Sequence, residues 1–379
     1  MQFFDYSFSF LGAHDIWMLS TALLCSVFLM DDLFIDLVAF IKRKKAKKIS
    51  DKEFTQMNSI PERKIGIMVA NWHEDQVLER MIAGNIDNID YSNYEFFIGA
   101  YPNDQLTLEA ARRAEKKFKN VTVIVNNLDG PTSKGQMLNL IINYINAYNK
   151  ENQSKAIEIV LMHDAEDVIH KNALKLINLK NLEYDFIQIP VFSLNVPVSK
   201  LTAGIYIDEF IEAHTKDLLV RNYFNAGVPS AGVGTAISWS VAKMLLNLND
   251  GKFLNEKTLT EDYYLGLTCH DLNVKSHFAC EFYEYHNKET DKKIVEYIAT
   301  RAYFPQKVGQ SIRQKTRWSL GISLQGFELR KTKAAHFFES YFLWRDRKSL
   351  PSAPLFTSAF IFTAFFIFTY ITTGDWPRL

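Results

Sequence analysis

The chain has 379 residues, with 43 Lys+Arg against 43 Asp+Glu and 47% hydrophobic residues. That length holds one large catalytic domain with membrane segments, or two modest domains. The zero formal charge argues against a nucleic-acid-coating surface, so no nucleic-acid partner is expected. The three cysteines, Cys25, Cys269 and Cys280, have no metal-ligand spacing and suggest no disulfide framework, which favours a reducing compartment.

The first segment, residues 1–48, reads as a membrane anchor. Ile16 to Met30 is apolar, Asp31, Asp32 and Asp36 interrupt, and Leu33 to Ile41 resumes the apolar run. The basic stretch Lys42 to Lys48 follows and predicts the cytoplasmic side. With no small-residue cleavage site, a signal anchor is expected rather than a removable signal peptide. Carboxylates inside a span are costly. They are expected at the interface, paired with bases, Arg345 or Arg347 being natural partners.

Residues 60–290 alternate short apolar runs with helical patterns. The runs are Ile65–Asn71, Glu95–Tyr101, Val121–Val125, Ile157–Met162 and Asp185–Pro190. Helices are expected over Leu106–Phe118 and Ser133–Tyr148. This alternation predicts βαβ units, hence an α/β domain with a mostly parallel sheet. Ligands bind beyond the carboxyl ends of such strands. Trp72-His73-Glu74, Asn103-Asp104 and Asp164 to Asp167 should therefore line one site. From Lys200 the pattern changes to a helix over Leu201–Tyr223 and a glycine-rich loop over Gly227–Thr235. Residues 291–348 read as amphipathic interface helices. From Ser349 to Thr373 no residue is charged, and the nineteen residues Leu355–Thr373 span about 28 Å, close to a bilayer core. Arg345, Arg347 and Lys348 place that second span's entry on the cytoplasmic side.

Three motifs carry chemistry. The first is His163-Asp164-Ala165-Glu166-Asp167, directly after an apolar run. Asp164 and Glu166 can hold Mg2+ or Mn2+ through oxygen, with diphosphate oxygens completing the shell. Asp167 rivals Glu166. The second is Thr260-Glu261-Asp262. Asp262 is the candidate base for an attacking sugar hydroxyl, and Thr260 also suits the N-cap of a helix over Tyr263–Thr268. The third is Gln314-Lys315-Thr316-Arg317-Trp318, where Arg317 can clamp a diphosphate and Trp318 can stack on a sugar. Lys134 lies in a sequence that resembles a phosphate loop but lacks its spacing; a lysine at a helix start can still meet a phosphate. Gly232, Gly234, Thr235 and Glu261 are candidates for the acceptor region, since glycines permit close backbone approach.

The ordered set Glu74, Asp104, Asp164-x-Glu166, Thr260-Glu261-Asp262 and Gln314-x-x-Arg317-Trp318 resembles the processive family-2 glycosyltransferases. Segments such as DDLFIDLV, YPND, HDAEDVI, VPSAGVGT and YFLWRDRK are similar to those of the bacterial phage-adsorption protein B (NfrB) glycosyltransferases, over Asp31 to Lys348. The resemblance implies a GT-A (Rossmann-like) catalytic domain flanked by transmembrane helices, at the inner membrane with the catalytic domain cytoplasmic. It implies inverting transfer from a UDP-sugar donor to a polysaccharide acceptor, making an exopolysaccharide from an N-acetylhexosamine, N-acetylmannosamine included. Glu74, Asp104 and Lys134 would contact the nucleotide. Asp164 and Glu166 would bind diphosphate and metal, Asp262 would be the base, and Gln314, Arg317 and Trp318 would close over donor and acceptor. An outer-membrane export partner, membrane lipid and a cyclic di-GMP-responsive component are the implied partners. Trp72-His73-Glu74 departs from the usual aromatic-Asn-Glu. The chain to Leu379 carries neither later spans nor a cyclic di-GMP domain, so a shorter or truncated relative is expected. Two alternatives stand beside this reading: a metal-dependent hydrolase using His163 and His170, and a non-enzymatic receptor or scaffold.

Overall fold

A computed structural model describes residues 13–287, 290–330 and 336–374. Its centre is a seven-stranded sheet. The strands in chain order are β1 (Ile65–Ala70), β2 (Tyr94–Ala100), β3 (Val121–Val125), β4 (Ile159–His163), β5 (Phe186–Gln188), β6 (Thr235–Ser238) and β7 (Ser276–Phe278). They lie side by side as β3-β2-β1-β4-β6-β5-β7. β1 pairs in parallel with both β2 and β4, as β2 does with β3 and β5 with β7. Only β6 runs antiparallel, inserted between β4 and β5. The first five strands match the apolar runs read from sequence. β6 does not, because four residues are too few to show a pattern. All four are buried, at the end of what reads as a glycine-rich loop.

Successive residues of a strand point to opposite faces. Ile67 and Val69 of β1 therefore join one core, with Leu78, Ile82, Leu174 and Ile177 from helices on that side. Met68 joins the other, with Met137, Ile141 and Leu245. The crossover helices begin where their caps stand. Ser133 Oγ accepts from Gln136 N at 3.1 Å ahead of the helix Lys134–Glu151. Asp104 caps the helix Gln105–Lys117. The helix expected over Leu201–Tyr223 is one run with a π-helical turn at Ala213–Asp217. Buried His214 sits in that turn and accepts from Val191 N at 2.7 Å.

Residues 291–348 are not helical throughout. Lys292–Tyr297 pairs antiparallel with Glu281–Asn287, and Thr300–Ala302 pairs in parallel with Val191–Ser193. The alternation in Lys-Lys-Ile-Val-Glu-Tyr suits a half-buried strand. The helical part starts at Val308.

Two long helices pack against each other outside the sheet domain. Ser349–Thr373 is, among the described residues, the one helix long and apolar enough to cross a membrane. Ala13–Ile41 lies alongside it, with Trp17 edge-on to Phe362 and Phe28 edge-on to Phe356. At Asp31 the first helix changes partner. Beyond it Ile35 is fully buried against Val220, Ala226 and Phe342. The change is marked by a knot of charges. Arg345 binds Asp31, and reaches Asp32 at 3.2 Å and Asp217 at 2.9 Å. Lys348 reaches Asp32 at 2.6 Å and Asp31 at 3.1 Å. Asp36 pairs separately with Lys216 at 2.6 Å. Arg345 is thus a partner of these carboxylates, whereas Arg347 lies over the Phe327 ring instead.

Truncating Arg345 leaves buried Asp31 with Lys348 alone and takes from half-buried Asp217 its ion-pair partner. Arg345→Met is expected to destabilise the detergent-solubilised chain by about 3 kcal/mol. A thermal or denaturant unfolding midpoint equal to that of the wild type would contradict this.

Candidate functional site

β4 ends at His163, and the chain turns at once through Asp164-Ala165-Glu166-Asp167. Asp167 folds inward. Its Oδ2 lies 2.9 Å from His163 Nδ1 and accepts from Asp164 N at 2.9 Å, and both side chains are buried. That bond fixes the turn and leaves Asp164 and Glu166 facing open space. Glu166, not Asp167, therefore accompanies Asp164.

Lys134 reaches across from the start of its helix. Its Nζ lies 2.5 Å from Asp164 Oδ1 and donates to Gly232 O at 3.3 Å. Burial by itself would lower this ammonium, but the charges of Asp164 and Asp262 override it and hold it above its usual value. Asp262 stands in the first turn of the helix Glu261–Asp271, where the helix dipole favours a carboxylate. Its Oδ1 accepts from Tyr263 N at 2.7 Å. Burial raises the Asp262 carboxyl, against the opposing pull of Lys134 and Arg317. Thr260 occupies the N-cap position but makes no capping bond. Gly232 has φ +75°, and a Cβ there would stand 2.3 Å from Asp262 Oδ2. Only a glycine lets the backbone pass so close to this carboxylate.

The other wall comes from the helix Val308–Trp318. Gln314, Arg317 and Trp318 face the same cavity, of about 300 Å³, as Glu74, Lys134, Asp164, Glu166, Glu261 and Asp262. Trp318 is held among Tyr206 and Phe210, with ring centroids 5.8 and 5.9 Å away. Gln314 Oε1 is buried without a hydrogen-bond partner among the described residues. Residues spread over some 240 positions of sequence thus meet around one space.

The acids crowd one another. Burial, then the charges of Glu74, Asp164 and Asp167, push Glu166 up to about 7. Burial and the neighbouring Asp164, Asp104 and Asp75 raise Glu74. Hard oxygen donors under such mutual repulsion fit a divalent cation. Among the described residues no three His, Cys, Asp or Glu side chains are grouped to hold a metal alone. Asp164 and Glu166 fit one only if ligand oxygens complete its shell.

Three of the expected site residues are placed elsewhere. Asp104 does not line the cavity. It accepts from His73 N at 2.7 Å and caps its helix through Thr107 N, fixing the Trp72-His73-Glu74 turn. Thr235 is fully buried in β6, bonded to Gln188 and Ser230. Gly234 packs on Thr300 and Ile189. Both belong to the sheet core because β6 starts there. Among the described residues His163 and His170 do not gather into a hydrolase site: His163 is tied to Asp167, and His170 to Glu296 at 3.1 Å. A second cavity lined by Tyr303, Lys307, Gln310 and Arg313 was not foreseen. Its one signal in the sequence is the polar i, i+3, i+4, i+7 stripe from Gln310 to Arg317.

A mixed, mainly parallel sheet with an acidic D-x-E turn at its centre, an acid-bearing helix and a Gln-x-x-Arg-Trp helix across the opening defines a glycosyltransferase of GT-A fold. Residues 61–321 match the family described as glycosyltransferase like family 2, and the chain belongs to that family. It is 35% identical over 331 residues to bacteriophage adsorption protein B of Escherichia coli (strain K12), covering 84% of this chain and 44% of the relative. The same figures hold for bacteriophage N4 adsorption protein B of Escherichia coli O157:H7. The chain therefore spans less than half the length of these relatives. Its fold is similar to that of the mannosyltransferase PcManGT from Pyrobaculum calidifontis, solved in complex with GDP-Man and Mn2+. The TM-score is 0.62 at 12% identity, over 95% of this chain and 88% of that one.

Two expectations follow for the assayed enzyme. Gly232→Ala should cut turnover at least about tenfold, since the methyl displaces Asp262 and the backbone sits in the left-handed region. Unchanged turnover in a folded variant would contradict the contact. If Asp262 serves as a base it acts as the carboxylate, and activity should then fall as pH drops through its raised value. The acid limb of kcat/KM should lie above the ordinary carboxylate range, and a limb within that range would contradict the burial argument.

Proposed function

We propose that this chain moves a sugar, with inversion, from a UDP-sugar to a growing surface polysaccharide. The single observation that carries this reading is the convergence of Asp164, Glu166, Lys134, Asp262 and Arg317 on one cavity. Each supplies something that transfer from a nucleoside diphosphate requires. The leaving diphosphate is anionic, and Lys134 and Arg317 are cations placed to meet it. Asp164 and Glu166 would hold Mg2+ or Mn2+, which when bound stabilises charge developing on the leaving group. Asp262 takes the proton of the attacking acceptor hydroxyl as the new glycosidic bond forms. The bond from the anomeric carbon to the phosphate oxygen breaks on the opposite face, and UDP departs with that electron pair. The unpartnered Gln314 Oε1 suits a sugar hydroxyl donor, and Trp318 offers a ring face to a pyranose.

Glu74 and Asp104 belong to the nucleotide side in different ways. Glu74 lines the cavity, whereas Asp104 acts through the turn that carries Glu74. Glu261 and Gly232 are the acceptor-side candidates. The donor is an N-acetylhexosamine in this reading, N-acetylmannosamine included, on the strength of the likeness to the adsorption proteins. The apolar helix Ser349–Thr373 also supports a place at a membrane, in this reading the bacterial inner membrane. The catalytic domain then faces the cytoplasm, with the basic stretch Lys42–Lys48 on that side. An export partner and a cyclic di-GMP-responsive component complete the proposal.

Asp262→Asn is expected to abolish transfer while UDP binds nearly as tightly as to the wild type. Full activity in that variant would sink the base assignment. Chelation by EDTA should stop turnover, and Mn2+ or Mg2+ should restore it. Undiminished turnover in EDTA would remove the metal from the reading. A panel of UDP-sugars tested for hydrolysis identifies the donor, and a chain that binds none of them contradicts the donor class.

A further inference from the structure

Two parts of the chain bear on Asp262: the loop before β6 and its own helix. On the helix Glu261–Asp271, Asp262, Gly266 and His270 follow one another at four-residue steps and share a face. The loop lies along that face. A Cβ on Gly227 would stand 3.2 Å from the His270 ring, and one on Gly266 would stand 2.5 Å from Val228 O. Gly232 meets Asp262 itself. Loop and helix are thus fitted to each other at three points, the last of them at the cavity.

What holds the two together lies behind the cavity. Tyr263 is 5% exposed and packs with Leu267 and Leu343. Its hydroxyl donates to Asp346. Asp346 also accepts from Arg221 Nη1 at 3.0 and 2.9 Å. Arg221 is 4% exposed, and its Nε donates to Gly227 O at 2.7 Å. One ion pair therefore grips the helix in its first turn, through Tyr263, and the loop at its first glycine, through Arg221. None of Arg221, Tyr263 and Asp346 lines the cavity.

A buried ion pair is a weak source of stability, because desolvation offsets much of the attraction between the charges. Its hydrogen bonds are directional, and what they fix is position. We propose that Asp346 is a positioning residue for sugar transfer: with Arg221 it holds Tyr263 and the Gly227 loop, and so sets the Asp262 carboxylate against Gly232. This rests on the reading of Asp262 as the base and adds to it the group that places the base. Displacing a reacting group by about 1 Å costs on the order of a hundredfold in rate. A loosened tether is therefore read in turnover, while the donor contacts made by Lys134 and Arg317 stay in place.

The test uses the full chain in detergent micelles. Turnover is read as UDP released from UDP-N-acetylmannosamine, beside UDP affinity and the unfolding midpoint. Tyr263→Phe keeps the ring and removes only the hydroxyl. It should lower kcat about tenfold, with KM and UDP affinity within about twofold of the wild type. Asp346→Asn should cost at least as much, and adding Tyr263→Phe to it should cost nothing further, since both break one tether. If Asp346→Asn does not fold, Tyr263→Phe decides alone. A Tyr263→Phe chain as active as the wild type overturns the proposal, as do losses that simply multiply in the double variant. A fall in turnover matched by an equal fall in UDP affinity marks a purely structural role and does the same. Asp262→Asn is assayed alongside: full turnover there strikes the base reading, whatever Tyr263→Phe does. A wild type that releases no UDP strikes the donor reading alone. Crystals of Tyr263→Phe with UDP then decide the proposal, which expects the Asp262 carboxylate shifted by about 1 Å from its place against Gly232; an unmoved Asp262 overturns it.

Discussion

The structure depends on the cost of gathering carboxylates in one place. Glu74, Asp164, Glu166, Glu261 and Asp262 line a single cavity at the strand ends, with Lys134 and Arg317 as its cations. Burial, and then the like charges at this spacing, raise Glu74, Glu166 and Glu261. A fold retains such a cluster only where positive charge compensates it. Lys134 meets part of the demand through Asp164. The remainder fits a divalent cation carried with a diphosphate.

The rest of the molecule can be understood as the means of holding that cluster rigid. β1 and β4 are adjacent and parallel, which brings Glu74 and Asp164 to the same edge. The inward turn of Asp167 sets the direction of its neighbours. The helix of Asp262 is anchored from behind. Tyr263 Oη donates to Asp346, which also receives Arg221 Nη1 at 3.0 and 2.9 Å. Asp346 follows Arg345, the centre of the charge knot with Asp31, Asp32 and Asp217. One short stretch of chain thus ties the pair of long apolar helices to the helix that carries Asp262. The cavity and the long apolar helices share a single polar network, so their positions are linked.

Much of this was legible in the sequence. The apolar runs gave β1 to β5, because buried parallel strands are nearly continuous in hydrophobicity. Asp164, Glu166, Asp262 and Arg317 could be named from motif order. Other features resisted for definite reasons. β6 is too short to carry a period, so Gly234 and Thr235 read as loop when they are core. The Lys292–Tyr297 strand lies in a charged region that reads as amphipathic helix. The choice between Glu166 and Asp167 depended on a hydrogen bond from Asp164 N and a contact with His163, neither of which a linear pattern contains. Asp104 matched its motif position, yet it serves as a cap that shapes the Glu74 turn. The Arg345 partnership was readable from charge alone, whereas the different fate of Arg347 was set by the ring of Phe327.

The central claim is that Asp164 and Glu166 hold a divalent cation through which a nucleoside diphosphate is bound. It is tested most directly by diffraction from crystals grown with UDP and Mn2+, recorded at the manganese edge. The account predicts one anomalous peak between the carboxylates of Asp164 and Glu166, shared with diphosphate oxygens. UDP bound in the cavity with no such peak, or a peak at other residues, would contradict it.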